Sequence, residues 1–81
     1  MYELAIEHDH RGLTLSIHPD RRDARDALAA YNSQAGCFER IIQLTETFSS
    51  YELVHYDDSR PIAVATIEHR NADATTHQQF A

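Results

Sequence analysis

Six histidines and a single cysteine are the residues of this 81-residue chain whose types could do chemistry. His8-Asp9-His10 has the character of a metal ligand set, because imidazoles two apart on a strand project from one face and can share an ion. No CxxC or HxxxH element accompanies it, so His8 and His10 read as solvated imidazoles at a hairpin tip, and no metal or cofactor is expected. Cys37 directly follows Gly36, with no helix N-terminus or base placed to lower its pKa, and reads as a small buried thiol. Ser16, Ser33, Ser49, Ser50 and Ser59 stand outside any GxSxG elbow, and Asp57-Asp58 occupies a turn, where aspartate serves the backbone. With only Gly12 and Gly36 there is neither a phosphate-cradling loop nor a dinucleotide fingerprint. The expectation is a protein with no catalytic residues, not an enzyme.

Composition narrows the partners. Thirteen acids face seven arginines and no lysine, a formal charge of -6, which opposes the counterion release that drives ordinary nucleic-acid binding. A basic partner is electrostatically easier, and no direct contact with nucleic acid is expected. Arginine in place of every lysine, with alanine common, points to a GC-rich genome. A lone cysteine allows no internal disulfide, no apolar run is long enough to span a bilayer, and Met-Tyr-Glu-Leu does not resemble a signal peptide. The chain therefore reads as cytoplasmic and complete from residue 1, with no membrane partner.

The elements that must position these residues begin with a hairpin. Two alternating runs flank Asp9-His10-Arg11-Gly12. With those four residues as the loop, Leu4 pairs with Ile17, Ile6 with Leu15 and His8 with Leu13 on one face. Glu3, Ala5 and Glu7 then oppose His18, Ser16 and Thr14 on the other. The period next changes to 3.6: Pro19 and Asp20 open a helix, Asp23 adds an acid to its first turn and Gly36 closes it. Ala24, Ala27, Leu28, Tyr31 and Ala35 form its apolar stripe, expected to cover Leu4, Ile6, Leu15 and Ile17, while Arg21, Arg22, Arg25, Asp26 and Asn32 face away.

The segment from Cys37 to Phe48 fits either a helix face or a strand. Gly36 leaves no room for a helix-to-helix turn, Thr45 and Thr47 are β-branched, and a second helix would leave only four strands, so the strand is preferred, from Phe38 to Thr45. A turn through Thr47-Phe48-Ser49 brings Leu44 opposite Leu53. Tyr51 to Tyr56 makes a fourth strand and Pro61 to His69 a fifth, with His55 against Ile62 and Leu53 against Val64. The expected fold is α+β in the order ββαβββ. Residues 1–70 form one domain with a mostly antiparallel five-stranded sheet and one amphipathic helix on one face, and residues 71–81 form a polar tail. The helix crossover would let the third strand lie beside the first.

One helix cannot cover five strands. Val54, Tyr56, Ala63, Ala65 and Ile67 alternate away from Leu53, His55, Ile62 and Val64, so the last two strands read as apolar on both sides. Either the sheet curls around its own core or the second face meets another protein, a partner or a second copy of the chain. The candidate anchors on that face are Tyr51, Val54, Tyr56, Ala65 and Ile67, the tyrosines because they supply large contact area at low entropic cost.

Two resemblances add to this. Tyr2-Glu3-Leu4, Asp23-Ala24-Arg25-Asp26-Ala27-Leu28, Ser50-Tyr51-Glu52-Leu53-Val54 and Ala65-Thr66-Ile67-Glu68 look like small uncharacterised proteins of actinobacteria and of their phages and plasmids. That resemblance spans most of residues 2–69 and brings no activity; it implies a small accessory protein that works by binding. Gln43-Leu44-Thr45-Glu46-Thr47-Phe48 is similar to the glutamine-leucine-aromatic peptides that dock on the bacterial sliding clamp, with Gln43, Leu44 and Phe48 as anchors. Glu46 departs from that pattern, where an aliphatic residue is usual.

Overall fold

The computed structural model describes residues 1–70, and the expected tail at 71–81 lies outside the described residues. Five strands and one helix follow in the order β1 (Tyr2–His8), β2 (Gly12–His18), α1 (Arg21–Ala35), β3 (Cys37–Leu44), β4 (Phe48–His55) and β5 (Pro61–His69). The fold is α+β with the expected ββαβββ sequence, and residues 37–44 are strand. All pairings are antiparallel, and the sheet order is β2-β1-β5-β4-β3. The place beside β1 belongs to β5 rather than to β3, which forms the far edge.

α1 has the signals its sequence carries. The Asp20 carboxylate accepts the Asp23 N–H at 2.8 Å, and Gly36 takes a left-handed φ of 70° while its N–H donates to the Asn32 carbonyl. Ala24 and Leu28 are fully buried against Leu4, Ile6, Tyr51, Leu53, Ala63, Ala65 and Ile67, with Tyr2, Ala27, Tyr31 and Ala35 packed around them. Asn32, expected to face away, is buried too, because its Oδ1 accepts the Cys37 thiol at 3.3 Å. Arg21 and Arg25 also turn toward the sheet, donating to Ser49 Oγ at 2.9 Å and to the Tyr51 hydroxyl at 2.7 Å.

The first hairpin departs from expectation by one residue. Gly12 is not in the loop: it pairs with His8, leaving Asp9-His10-Arg11 as a three-residue connection, and its φ of 78° supplies the left-handed step such a loop requires. Leu4 consequently pairs with Ser16, Ile6 with Thr14 and Tyr2 with His18, all on the helix side. Leu13, Leu15 and Ile17 stand beside Glu7, Ala5 and Glu3 on the opposite face, at 60%, 56% and 54% exposure. A slip of one residue turned the whole strand over, as the period of two demands.

The second hairpin is shorter than expected for the same kind of reason. Thr45 closes a tight turn on Phe48 through its N–H at 2.8 Å and its hydroxyl at 2.9 Å, so β4 begins at Phe48. Leu44 meets Ser49, and Leu53 meets Glu39 on one side and Ala63 on the other, in place of the Leu44–Leu53, His55–Ile62 and Leu53–Val64 pairs. Bulges between Ile41 and Gln43 and between Leu53 and Val54 shift the register further.

Candidate functional site

The face of the sheet away from α1 carries three rows that run across the strands. One is Leu13, Glu7, Val64, Glu52 and Arg40; the next is Leu15, Ala5, Thr66, Ser50 and Gln43; the third is Ile17, Glu3, Glu68 and Phe48. Ala5, Thr66 and Ser50 are small, so the middle row is a trough between taller side chains. Val64, 46% exposed, and the β2 trio give the face its apolar character. Its charges are partly paired. Glu3 and Glu68 are direct cross-strand neighbours, a repulsive arrangement that Arg70 relieves by reaching Glu3 at 2.7 Å and Glu68 at 3.2 Å. Arg40 pairs with Glu52, which leaves Glu7, between Leu13 and Val64, as an exposed carboxylate on the apolar row.

Three of the five anchors expected on this face are elsewhere. Tyr51, Ala65 and Ile67 lie in the core beneath α1, Tyr51 held there by the Arg25 guanidinium, which bonds its hydroxyl and stacks 5.6 Å from its ring. Val54 is fully buried opposite Phe38. Tyr56 is exposed just past β4, its ring 5.5 Å from that of Phe38. The displacement has one cause: β5 aligns Ile67 with Leu4 and Ala65 with Ile6, and those two side chains point at the helix. On the face away from α1 the exposed apolar residues are Leu13, Leu15 and Ile17, which the assumed four-residue loop had placed inside, together with Val64; Ile41, Ile42 and Leu44 of β3 are exposed as well. The signal for the β2 residues was Gly12, a glycine four residues past the end of β1, where a left-handed residue closes a three-residue loop.

The His8 and His10 ring centroids lie 6.3 Å apart at the hairpin tip. The His8 Nδ1 accepts the N–H of His10 at 3.0 Å and of Arg11 at 3.2 Å, so the ring is the acceptor that orders its own turn. Burial lowers its pKa from the ordinary imidazole value, Arg11 and His10 lower it further, and Asp9 opposes them. Among the described residues no group of three or more His, Cys, Asp or Glu side chains is arranged to hold a metal ion. The Cys37 thiol is buried, its pKa raised chiefly by that burial. His55 orders the β4–β5 loop by accepting the Asp57 N–H at 3.2 Å, and Asp58 accepts the N–H of Arg60 at 3.0 Å.

One arrangement has the hydrogen-bond order of an acyl-transfer triad: Ser16 Oγ lies 2.8 Å from His18 Nε2, and His18 Nδ1 lies 2.9 Å from the Asp23 carboxylate. Its burial runs the wrong way for that chemistry. The carboxylate is 53% exposed where a triad buries it, and Ser16 stands half-buried on the side of β2 that faces α1. The relay instead ties the first turn of α1 to the end of β2.

The glutamine-leucine-aromatic segment is folded into the sheet. Gln43 and Leu44 pair with Ser50 and Ser49, and Thr45 closes the turn on Phe48. No helix among the described residues is long and apolar enough to cross a membrane. Comparison of the chain with protein-family models, with curated proteins and with solved structures finds no match.

Proposed function

We propose that this chain is a small, acidic, non-enzymatic accessory protein that binds another protein through the open face of its sheet. The observation that carries this reading is the exposed apolar stripe along β2, Leu13, Leu15 and Ile17, with Val64 beyond Glu7 in the row of Leu13. Edge-strand side chains of that size normally face a core, and a contiguous apolar surface on a small domain is the usual mark of an interface. The exposed Glu7 within it, and a chain charge of -6, favour a partner whose contact surface is apolar with basic groups beside it. A mobile-element factor acting on a cytoplasmic host protein is the setting that the resemblance to small actinobacterial, phage and plasmid proteins suggests.

The test compares proteins captured from a GC-rich bacterial lysate by the wild type, by Val64→Arg and by Asp26→Asn. Val64→Arg places a cation between Glu7 and Glu52, which keeps the sheet while repelling a basic partner. Asp26→Asn makes the same change of charge on the outer side of α1. The expected result is a stoichiometric partner lost only with Val64→Arg. An identical set of captured proteins from all three chains contradicts the reading.

A further inference from the structure

The two edges of the sheet are built differently. β3 is interrupted by its bulge between Ile41 and Gln43 and carries Glu39 and Arg40, devices that keep an edge from pairing with another chain. β2 has none of them. It pairs with β1 without interruption from His18 to Gly12, contains no proline, and carries no Asp, Glu or Arg over its seven residues. The N–H and C=O groups of alternate residues along it point away from β1 and have no strand beyond them.

We propose that β2 is a self-association edge, at which two copies of the chain pair antiparallel about a twofold axis through Leu15. Three observations fix the occupant as a second copy. First, a chain of charge -6 repels its own kind over most of its surface, and β2 is a strip free of carboxylates where two copies can meet. Second, the strand is self-complementary. Only the register centred on Leu15 overlaps all seven residues, and it sets Leu13 against the partner's Ile17, Leu15 against the partner's Leu15, and Thr14 against the partner's Ser16. The apolar trio then forms one stripe across the junction, and the small polar residues meet on the helix side. Third, there is room. α1 starts beyond the His18 end of β2, and Gly12 and Thr14 at the other end are exposed. The twofold axis brings each helix start over the partner's open end. The contact is isologous and closes at two copies.

This pairing uses the edge of the sheet, whereas the proposed partner uses its face, so the two stand or fall separately. Sedimentation equilibrium is the test, with far-UV circular dichroism confirming that every chain is folded. Wild type and Val64→Arg are expected at twice the monomer mass of 9.3 kDa at about 100 μM. Leu15→Arg alone and Leu15→Glu alone are expected as monomers, because each sets like charges against each other on the axis. Their equimolar mixture is expected to regain the dimer mass. A monomeric wild type, single variants that keep the dimer mass, or a mixture that stays monomeric would each overturn the proposal. Amide exchange on the wild type gives a reading that needs no substitution: protection of the outward N–H groups of β2 should rise with protein concentration and that of β3 should not. Equal behaviour of the two edges would also overturn it.

Discussion

β2 and β3 are both edge strands on one sheet, and they solve opposite problems. β3 turns Cys37 under the helix, leaves Ile41, Ile42 and Leu44 exposed, and interrupts its edge with a bulge and charges. β2 turns Thr14, Ser16 and His18 toward the helix and leaves its three large apolar side chains on the open face. The core beneath α1 is therefore made by β1, β5 and β4, with Leu4, Ile6, Ile67, Ala65, Tyr51 and Leu53 around Leu28. The lesson is that apolar content and core membership are separate properties of a strand: β2 is as apolar as β1, yet it joins α1 through a polar relay. Surplus apolar surface on an element the core does not need is where an interaction is to be sought.

The sharpest way to break this contrast is to truncate an isoleucine on either side of the sheet. Ile67→Ala should cost about 2 to 5 kcal/mol, the range for a buried isoleucine that leaves a cavity. Ile17→Ala should stay within about 1 kcal/mol, as surface changes do. Urea unfolding measures both, and equal losses would return Ile17 to the core. The next effect concerns how each edge is tied to α1. His18→Ala removes hydrogen bonds to Ser16 and Asp23 and should cost about 1 to 2 kcal/mol. Glu39→Ala removes only a half-exposed pair with Arg25 at 3.5 Å and should cost less than about 1 kcal/mol. The same series checks the relay's chemistry: a fluorophosphonate probe should leave Ser16 unlabelled.

The smallest effect is at the hairpin tip. The folded pKa of His8 lies below its ordinary value of 6.5, so the unfolded chain takes up a proton more readily than the folded one. The stabilising contribution is complete above pH 6.5 and is lost as pH falls through the folded pKa. Stability should therefore rise with pH across that window, and His8→Ala should flatten the rise. An unchanged slope would remove His8 as the acceptor that orders the turn.

Much of this fold is legible in the chain. The capping residues Asp20 and Gly36 bound α1 as their chemistry requires, and a strand follows Gly36 as expected, although Thr45 and Thr47, whose β-branching favoured it, fall in the turn beyond its end. What failed was register. Aligning Leu4 with Ile17 and Ile6 with Leu15 maximises apolar agreement within one hairpin, but the loop is set by the backbone of Gly12, and β5 supplies the apolar partners that β2 does not. Local agreement cannot reveal which neighbour a strand will find across sixty residues of chain. The same limit misplaced Ala65 and Ile67, whose faces depend on the pairing of β5 with β1, and Tyr51, which follows Ala65 across the β4–β5 pair, and hid the link from His18 to Asp23. That link was foreshadowed by a histidine two residues before the helix cap and an acid in the first turn.

The most direct measurement is methyl proximity in solution. In a methyl-labelled sample, Leu28 should show nuclear Overhauser contacts to Leu4, Ile6 and Ile67 and none to Leu15 or Ile17, whose methyls should broaden on adding a paramagnetic co-solvent. Contacts between Leu28 and Leu15 or Ile17, with those methyls shielded from the co-solvent, would put β2 back under the helix and leave the open face without its apolar row.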